Sequence, residues 1–228
     1  EIKKINPKVI YHLAWHGIPS FDKKNFKENL KITKNLVEAI NLSSCKKIIV
    51  SGTCAEYGFS KKIFYENSKK NLISPLGKQK EMTRNYLSNN LNKKIALIWV
   101  RIFYVYGPQQ RKGSLMQFLE GVKNKKKILK LKYPYVSNDF IYIKDVIDAL
   151  SKIEKTNTDS VINICTGKPT SNIDFIKKFE KVAKCKINID STNKINSKKM
   201  LYGSNTKLKN LGWKQKYSIK KAFREITN

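Results

Sequence analysis

Thr53 closes an apolar run, Lys80 lies one turn into a helix-period segment, and three tyrosines stand four residues ahead of a lysine: Tyr57 and Lys61, Tyr65 and Lys69, Tyr217 and Lys221. A lysine beside a phenol favours the phenolate, which makes such a pair a proton exchanger. With 11 tyrosines, and lysine at nearly one residue in five, about two pairs of this spacing arise by chance, so the three present decide nothing. The Thr53 hydroxyl can hydrogen-bond a ligand oxygen or cap the turn that follows it. Lys80 can point to the same place or stand in solvent. Gln110-Arg111-Lys112-Gly113-Ser114 joins two cations to a glycine and a helix-capping serine, a combination suited to an anion, although Arg111 can equally be an exposed loop charge. Cys45, Cys54, Cys165 and Cys185 are far apart and the histidines number two, so neither a metal site nor a disulfide framework is suggested. Reduced thiols suit a reducing compartment, and a cytoplasmic location is expected.

The net charge of +30 raises the question of nucleic acid. Only four of the 47 basic residues are arginine (84, 101, 111 and 224), and the lysines run through every segment instead of gathering in one stripe. Planar, bidentate recognition of phosphate or base edges calls for arginine. No specific nucleic-acid partner is therefore expected, only diffuse attraction to polyanions. No apolar run approaches the roughly 20 residues that span a bilayer, and the start Glu1-Ile2-Lys3-Lys4 lacks a signal peptide's apolar stretch, so no membrane partner is expected.

The elements that must carry these groups alternate between strand-like runs and helix-period segments, the pattern of a parallel sheet covered by helices. Val9 to Leu13 reads as a buried strand. A helix follows from about Asp22 to Leu42, with Phe26, Leu30, Val37 and Ile40 on one stripe. Then come the strand Lys47 to Ser51, a helix from about Gly77 to Leu91 and the strand Ile95 to Arg101. Beyond Tyr106-Gly107-Pro108 the elements shorten. Ser114 can cap a helix carrying Leu115, Phe118 and Leu119, strands are expected at Ile128 to Leu131 and Val161 to Ile164, and helices at Lys144 to Ile153 and Ser171 to Ala183. Ser218 caps a last helix bearing Ile219, Ala222, Phe223 and Ile226.

Seven segments, in order and sensibly spaced, resemble the extended short-chain dehydrogenases, the NAD-dependent epimerase/dehydratase group acting on nucleotide sugars. They are His12-Leu13-Ala14; Asn29 with Asn35-Leu36-Val37-Glu38-Ala39; Ser51-Gly52-Thr53-Cys54-Ala55-Glu56-Tyr57-Gly58; Arg101 through Pro108; Asn138 through Val146; Asn163-Ile164-Cys165-Thr166-Gly167 with Pro169-Thr170-Ser171; and Leu211-Gly212-Trp213. Each is weak alone, but their order covers nearly the whole chain. The resemblance implies an α/β fold with a doubly wound, Rossmann-like parallel sheet whose first strands are missing, and a smaller mixed α/β substrate cap. Residues 1–107 would form a partial dinucleotide-binding domain and residues 108–228 the cap, with residues 139–150 returning to the first domain.

In such sheets ligands bind beyond the carboxyl ends of the strands, where Leu13, Ala14, Ser51, Thr53 and Phe103 fall. The resemblance implies NAD or NADP lined by Leu13, Ala14, Ser51, Lys80 and Phe103. It implies a nucleotide-diphosphate sugar met by Thr53, Tyr104 and Arg111, and a homodimer formed through the two long helices. Thr53 and Lys80 would be catalytic, Thr53 orienting a sugar oxygen and Lys80 holding the nicotinamide ribose.

The chain departs from the family in two ways that bear on chemistry. The Gly-rich turn that cradles pyrophosphate is not in the sequence, and the match begins at the family's fourth strand, so roughly 60 to 65 residues of the family's plan are lacking. A fragment, or an upstream part supplied separately, is the expectation. The catalytic Y-x-x-x-K should follow Ser-Pro, and Ser74-Pro75-Leu76-Gly77-Lys78-Gln79-Lys80 puts Leu76, which exchanges no proton, in the tyrosine's place. Tyr104 replaces the family's Asn and Asn138 its Arg. The Ser51 to Gly58 wording and Trp15-His16-Gly17 are most similar to the branch that reduces 4-keto-6-deoxy nucleotide sugars. A 4-epimerase is the nearest alternative, and a catalytically impaired assembly partner is the rival from another class.

Overall fold

The computed structural model describes residues 1–18, 20, 22–111, 114–122, 128–190, 195, 197 and 199–227. The chain opens with α1 (Ile2–Ile5), β1 (Val9–His12), α2 (Lys23–Asn41) and β2 (Lys47–Thr53), and continues through a 3-10 turn (Cys54–Glu56), α3 (Pro75–Asn90) and β3 (Ala96–Ile102). It goes on with β4 (Tyr104–Tyr106), α4 (Leu115–Val122), β5 (Ile128–Lys130), β6 (Ser137–Tyr142), α5 (Ile143–Ile153) and β7 (Ser160–Ile164). The last elements are β8 (Pro169–Ser171), α6 (Asn172–Ala183), β9 (Asn188–Asp190), β10 (Met200–Leu201), α7 (Thr206–Asn210) and α8 (Ile219–Thr227).

One sheet runs in the order β1-β2-β3-β7 with every pair parallel. Side chains alternate across it, as strand geometry requires. Ile48, Val50, Leu97 and Trp99 pack with Val37, Ile40 and Leu87 of α2 and α3. Ile49, Ile98, Val100 and Ile162 pack on the other face with Val146, Ala149 and Ile153 of α5, and with Leu208 and Trp213. Burial on both faces explains why these strands read as continuous apolar runs. A fully buried Ile, Leu or Val is worth about 1.5–3 kcal/mol, so these two faces hold the sheet between its helices.

β7 lies within the 108–228 segment, yet it is the fourth strand of this first sheet, with Ile98 opposite Ser160 and Ile102 opposite Ile164. A second sheet has the order β10-β6-β4, with β8 antiparallel on β6. Its core is aromatic: Phe140 stacks on Phe175 at 4.0 Å between centroids, and Tyr106 and Phe223 both meet Phe175 edge-on.

Helix α3 begins two residues before the Gly77 read from the sequence. Ser74 supplies the cap, accepting from the Gly77 N–H at 2.9 Å, and Pro75 occupies the first turn, where its missing N–H costs nothing. Asp22 and Ser171 cap α2 and α6 in the same way.

Candidate active site

The carboxyl ends of β1 and β2 lie side by side, and α3 runs past them. Lys80 projects from the second turn of α3 and is 5% exposed. Its ammonium donates to the Ser51 carbonyl at 2.7 Å, lies 3.4 Å from the Ser51 hydroxyl, and is covered by the Trp15 ring at 3.9 Å from the centroid. Burial pushes the Lys80 pKa down to about 7, and the Glu56 carboxylate opposes that shift. Burial, together with the Lys80 charge, also lowers the pKa of His12 at the end of β1. Ser51 points its hydroxyl at the His12 and Leu13 carbonyls, both at 3.5 Å, and Leu13 and Ala14 are exposed beside them.

Thr53 ends β2 and caps the 3-10 turn. Its hydroxyl accepts from the Ala55 N–H at 3.2 Å, and its own N–H donates to Glu56 Oε1 at 2.9 Å, which closes a capping box. Glu56 is wholly buried. It also accepts from Trp99 Nε1 at 3.0 Å and from Arg101 Nε at 2.6 Å. A side chain on Gly52 would strike Trp99 Nε1 at 2.2 Å, so a glycine is what lets the indole reach Glu56. Arg101 goes on to Tyr57 Oη at 2.7 Å and the Glu66 carbonyl at 2.9 Å, and Tyr57 donates to Asn163 Oδ1 at 2.8 Å. Burial raises the Tyr57 pKa to about 12 against the pull of Arg101, so this phenol is a brace and not a proton source at neutral pH.

Leu76, half-buried, occupies the first turn of α3, four residues before Lys80. Close packing sets the position of this helix start: a Cβ on Gly77 would stand 2.6 Å from the Ala55 carbonyl oxygen. Phe103, between β3 and β4, is 3% exposed in a cluster with Tyr57, Phe64 and Cys165.

Beyond β4 lies a cleft of about 1310 Å³ whose wall includes Tyr104, Gln110, Arg111, Phe118, Lys130, Tyr133, Asn138 and Lys199. Tyr104 is 36% exposed there and Arg111 is exposed, while Lys112 and Gly113 of the same loop lie outside the described residues. The structure thus brings Leu13, Ser51 and Lys80 together at the strand ends with Thr53 beside them. It places Tyr104 and Arg111 in a separate wall. Glu56 and Trp15 carry much of this geometry and were not singled out as site residues from the sequence. The T-x-x-E spacing of Thr53 to Glu56 is the capping-box signal that marks the first; nothing local marks the second.

The sequence model of the NAD dependent epimerase/dehydratase family matches residues 1–165. The chain belongs to this family. A UDP-glucose 4-epimerase of Cyamopsis tetragonoloba is 26% identical over 231 residues, covering 88% of this chain and 65% of that enzyme. The dTDP-6-deoxy-L-talose 4-dehydrogenase (NAD(+)) of Aggregatibacter actinomycetemcomitans is 24% identical over 178 residues, 76% of this chain and 66% of that one. The chain therefore spans just under two thirds of the length of these two relatives. Among solved structures, RMD from Pseudomonas aeruginosa complexed with NADPH superposes with a TM-score of 0.85 at 20% identity, covering 97% of this chain and 80% of that one. That likeness shows the family's fold: the parallel β1-β2-β3-β7 sheet with helices on both faces and a mixed second sheet beside it.

Among the described residues of this family member, no helix is long and apolar enough to cross a membrane. Cys45, Cys54 and Cys165 are buried thiols and Cys185 is half-buried.

Proposed function

We propose that this chain is part of an enzyme that modifies a nucleotide-diphosphate sugar with NAD or NADP, and that the reaction is 4-epimerisation. The observation that carries the reading is the buried Lys80 ammonium, held against Ser51 at the carboxyl ends of a parallel sheet, with Thr53 two residues further along the same strand. The relatives favour 4-epimerisation over the 4-keto reduction that the Trp15-His16-Gly17 wording suggests, since the Cyamopsis relative is named a UDP-glucose 4-epimerase. The Aggregatibacter 4-dehydrogenase is the observation in favour of reduction, and Leu76 is the one in favour of a non-catalytic partner.

The strand ends fit half of a dinucleotide. Lys80 is a buried donor for ribose hydroxyls, and exposed Leu13 and Ala14 offer an apolar surface to a flat ring. Among the described residues no glycine-rich turn stands beside β1 to receive a pyrophosphate. When bound, the dinucleotide supplies hydride exchange at a sugar carbon. Thr53 would orient the sugar oxygen, Lys80 would hold the ribose, and Tyr104 and Arg111 would meet the sugar nucleotide in the cleft. In this reading, residues 1–107 with α5 and β7 serve the dinucleotide, the remainder forms the cap, and two copies pair through α2 and α3.

The test is to incubate the complete polypeptide with UDP-glucose and NAD and follow UDP-galactose by NMR. An epimerase interconverts the sugars without net change in NADH. Oxidation of one NAD(P)H for each 4-keto-6-deoxy nucleotide sugar consumed would replace the proposal with the reductase. Absence of turnover in both assays, for the native protein and for Leu76→Tyr, would favour the assembly partner.

A further inference from the structure

Strand β6 turns Asn138 and Phe140 toward the cleft, beside Val136 just before it, and turns Asp139 the other way, where it accepts from Thr166 and Gly167. Asn138 is 4% exposed. Its Nδ2 donates to Asn172 Oδ1 at 3.0 Å, and Asn172 Nδ2 donates to the Tyr133 carbonyl at 2.8 Å. A backbone carbonyl only accepts, so this relay fixes both amides: Asn172 faces Tyr133 with its nitrogen and Asn138 with its oxygen, and Asn138 must donate. The Asn138 oxygen is left as a committed acceptor, and among the described residues nothing donates to it. Buried amide oxygens without a donor are rare and costly.

The chemistry of the wall says what completes that bond. Arg111, Lys130 and Lys199 supply cations to the same cleft, so a ligand's phosphate oxygens have partners elsewhere in it. A phosphate oxygen set against Asn138 Oδ1 would oppose acceptor to acceptor, whereas an O–H or N–H satisfies it.

We infer that Asn138 is a specificity-determining residue of the cleft, its amide oxygen accepting a hydrogen bond from a donor on the bound nucleotide sugar, either a sugar hydroxyl or a base N–H. The inference rests on the reading of the cleft as a nucleotide-sugar site. An amide oxygen left unpaired beside a ligand that lacks the donor is what gives such a position its discrimination.

The experiment is calorimetric titration of the complete polypeptide and of its Asn138→Leu variant, which keeps the branched shape and removes the acceptor together with the donor to Asn172. Asn138→Ser is the second variant should the leucine prove unfolded by circular dichroism. The probes are the tightest binder among UDP-glucose, dTDP-glucose and GDP-mannose, its diphosphate without the sugar, and forms of it with one sugar hydroxyl replaced by fluorine. Loss of one net hydrogen bond weakens binding about tenfold. If the sugar is the donor, the variant loses about tenfold for the full ligand and little for the bare diphosphate, and one fluoro form reproduces the loss on the native chain alone. If the base is the donor, the variant loses equally for the ligand and its diphosphate. Equal affinity of native and variant for every probe overturns the inference and leaves the nucleotide-sugar reading standing. A native complete polypeptide that binds none of the three removes that reading, and the inference falls with it.

Discussion

Lys80 concentrates the chemistry of the strand ends in one group, and its burial gives it a measurable signature. Lysine ordinarily titrates at 10.5, and here burial brings the pKa to about 7 despite Glu56. Between those values the folded chain has released a proton that the unfolded chain still holds, so this group adds stability as pH rises from about 7 toward 10.5. Lys80→Met lacks the titration. The urea-unfolding free energy of the native chain relative to Lys80→Met should therefore rise from pH 7 to pH 9, and a constant difference would remove the assignment. Trp15 stands 3.9 Å from the ammonium, so its fluorescence should titrate over the same range and cease to do so in the methionine variant. One turn earlier, Leu76 occupies the position from which a phenol would reach Lys80. Positioned acid/base groups are worth about 10²- to 10⁴-fold in rate, and Leu76→Tyr in the complete polypeptide should recover a gain of that order in sugar turnover. An unchanged rate would mean that Leu76 is not where the proton is lacking. Thr53, Lys80 and Leu76 were legible in the sequence because each falls within a spaced motif. Trp15's cover over Lys80 was not, because it depends on a contact between residues far apart in the chain.

At the scale of elements, a buried relay ties the 3-10 turn after β2 to β3 and β7 through Glu56, Trp99, Arg101, Tyr57 and Asn163. Arg101 is 2% exposed and Glu56 is fully buried, so neither side chain has water to fall back on. Removing one member of such a pair leaves a bare buried charge at a cost of roughly 3–5 kcal/mol, and Arg101→Met should lose about that much in urea unfolding. A loss below about 1 kcal/mol would show that Glu56 finds other partners. The long helices and the strands of the first sheet were readable within a few residues, because apolar alternation and caps such as Ser74 and Asp22 are local signals. Strands β4, β6, β8 and β10 were not read as a sheet. They are two to six residues long, and their pairing joins segments as distant as Ser137 and Met200, so no periodicity announces it. The same limit hid β7's place beside β3, since a short apolar run does not state which sheet it joins.

For the molecule as a whole, the proposed pairing of two copies sets apolar contact against a net charge of +30 on each. Helices α2 and α3 already pack on each other, Asn41 bridging to the Asn90 carbonyl at 2.8 Å and Lys34 lying over Tyr86 at 5.7 Å. They leave Ile32 45% exposed and Met82 54% exposed. These are the side chains a second copy would cover, but the same two helices carry Lys27, Lys31, Lys34, Lys78 and Arg84. Like charges across such a face repel over about 10 Å at 0.1 M salt and over only about 3 Å at 1 M, whereas apolar burial gains nothing from weakening the field. Salt should therefore promote the dimer, the reverse of an association driven by ion pairs. Light scattering at a fixed protein concentration is expected to show the mass rising toward twice that of the chain between 0.05 and about 0.5 M sodium chloride. Met82→Glu should abolish the rise by placing a charge in the apolar centre, while a change of similar size at Ile147, exposed on α5 away from this helix pair, should leave it intact. A single-chain mass at every salt concentration would remove the pairing. A dimer that salt dissolves would put it on a surface held by opposite charges instead of on α2 and α3.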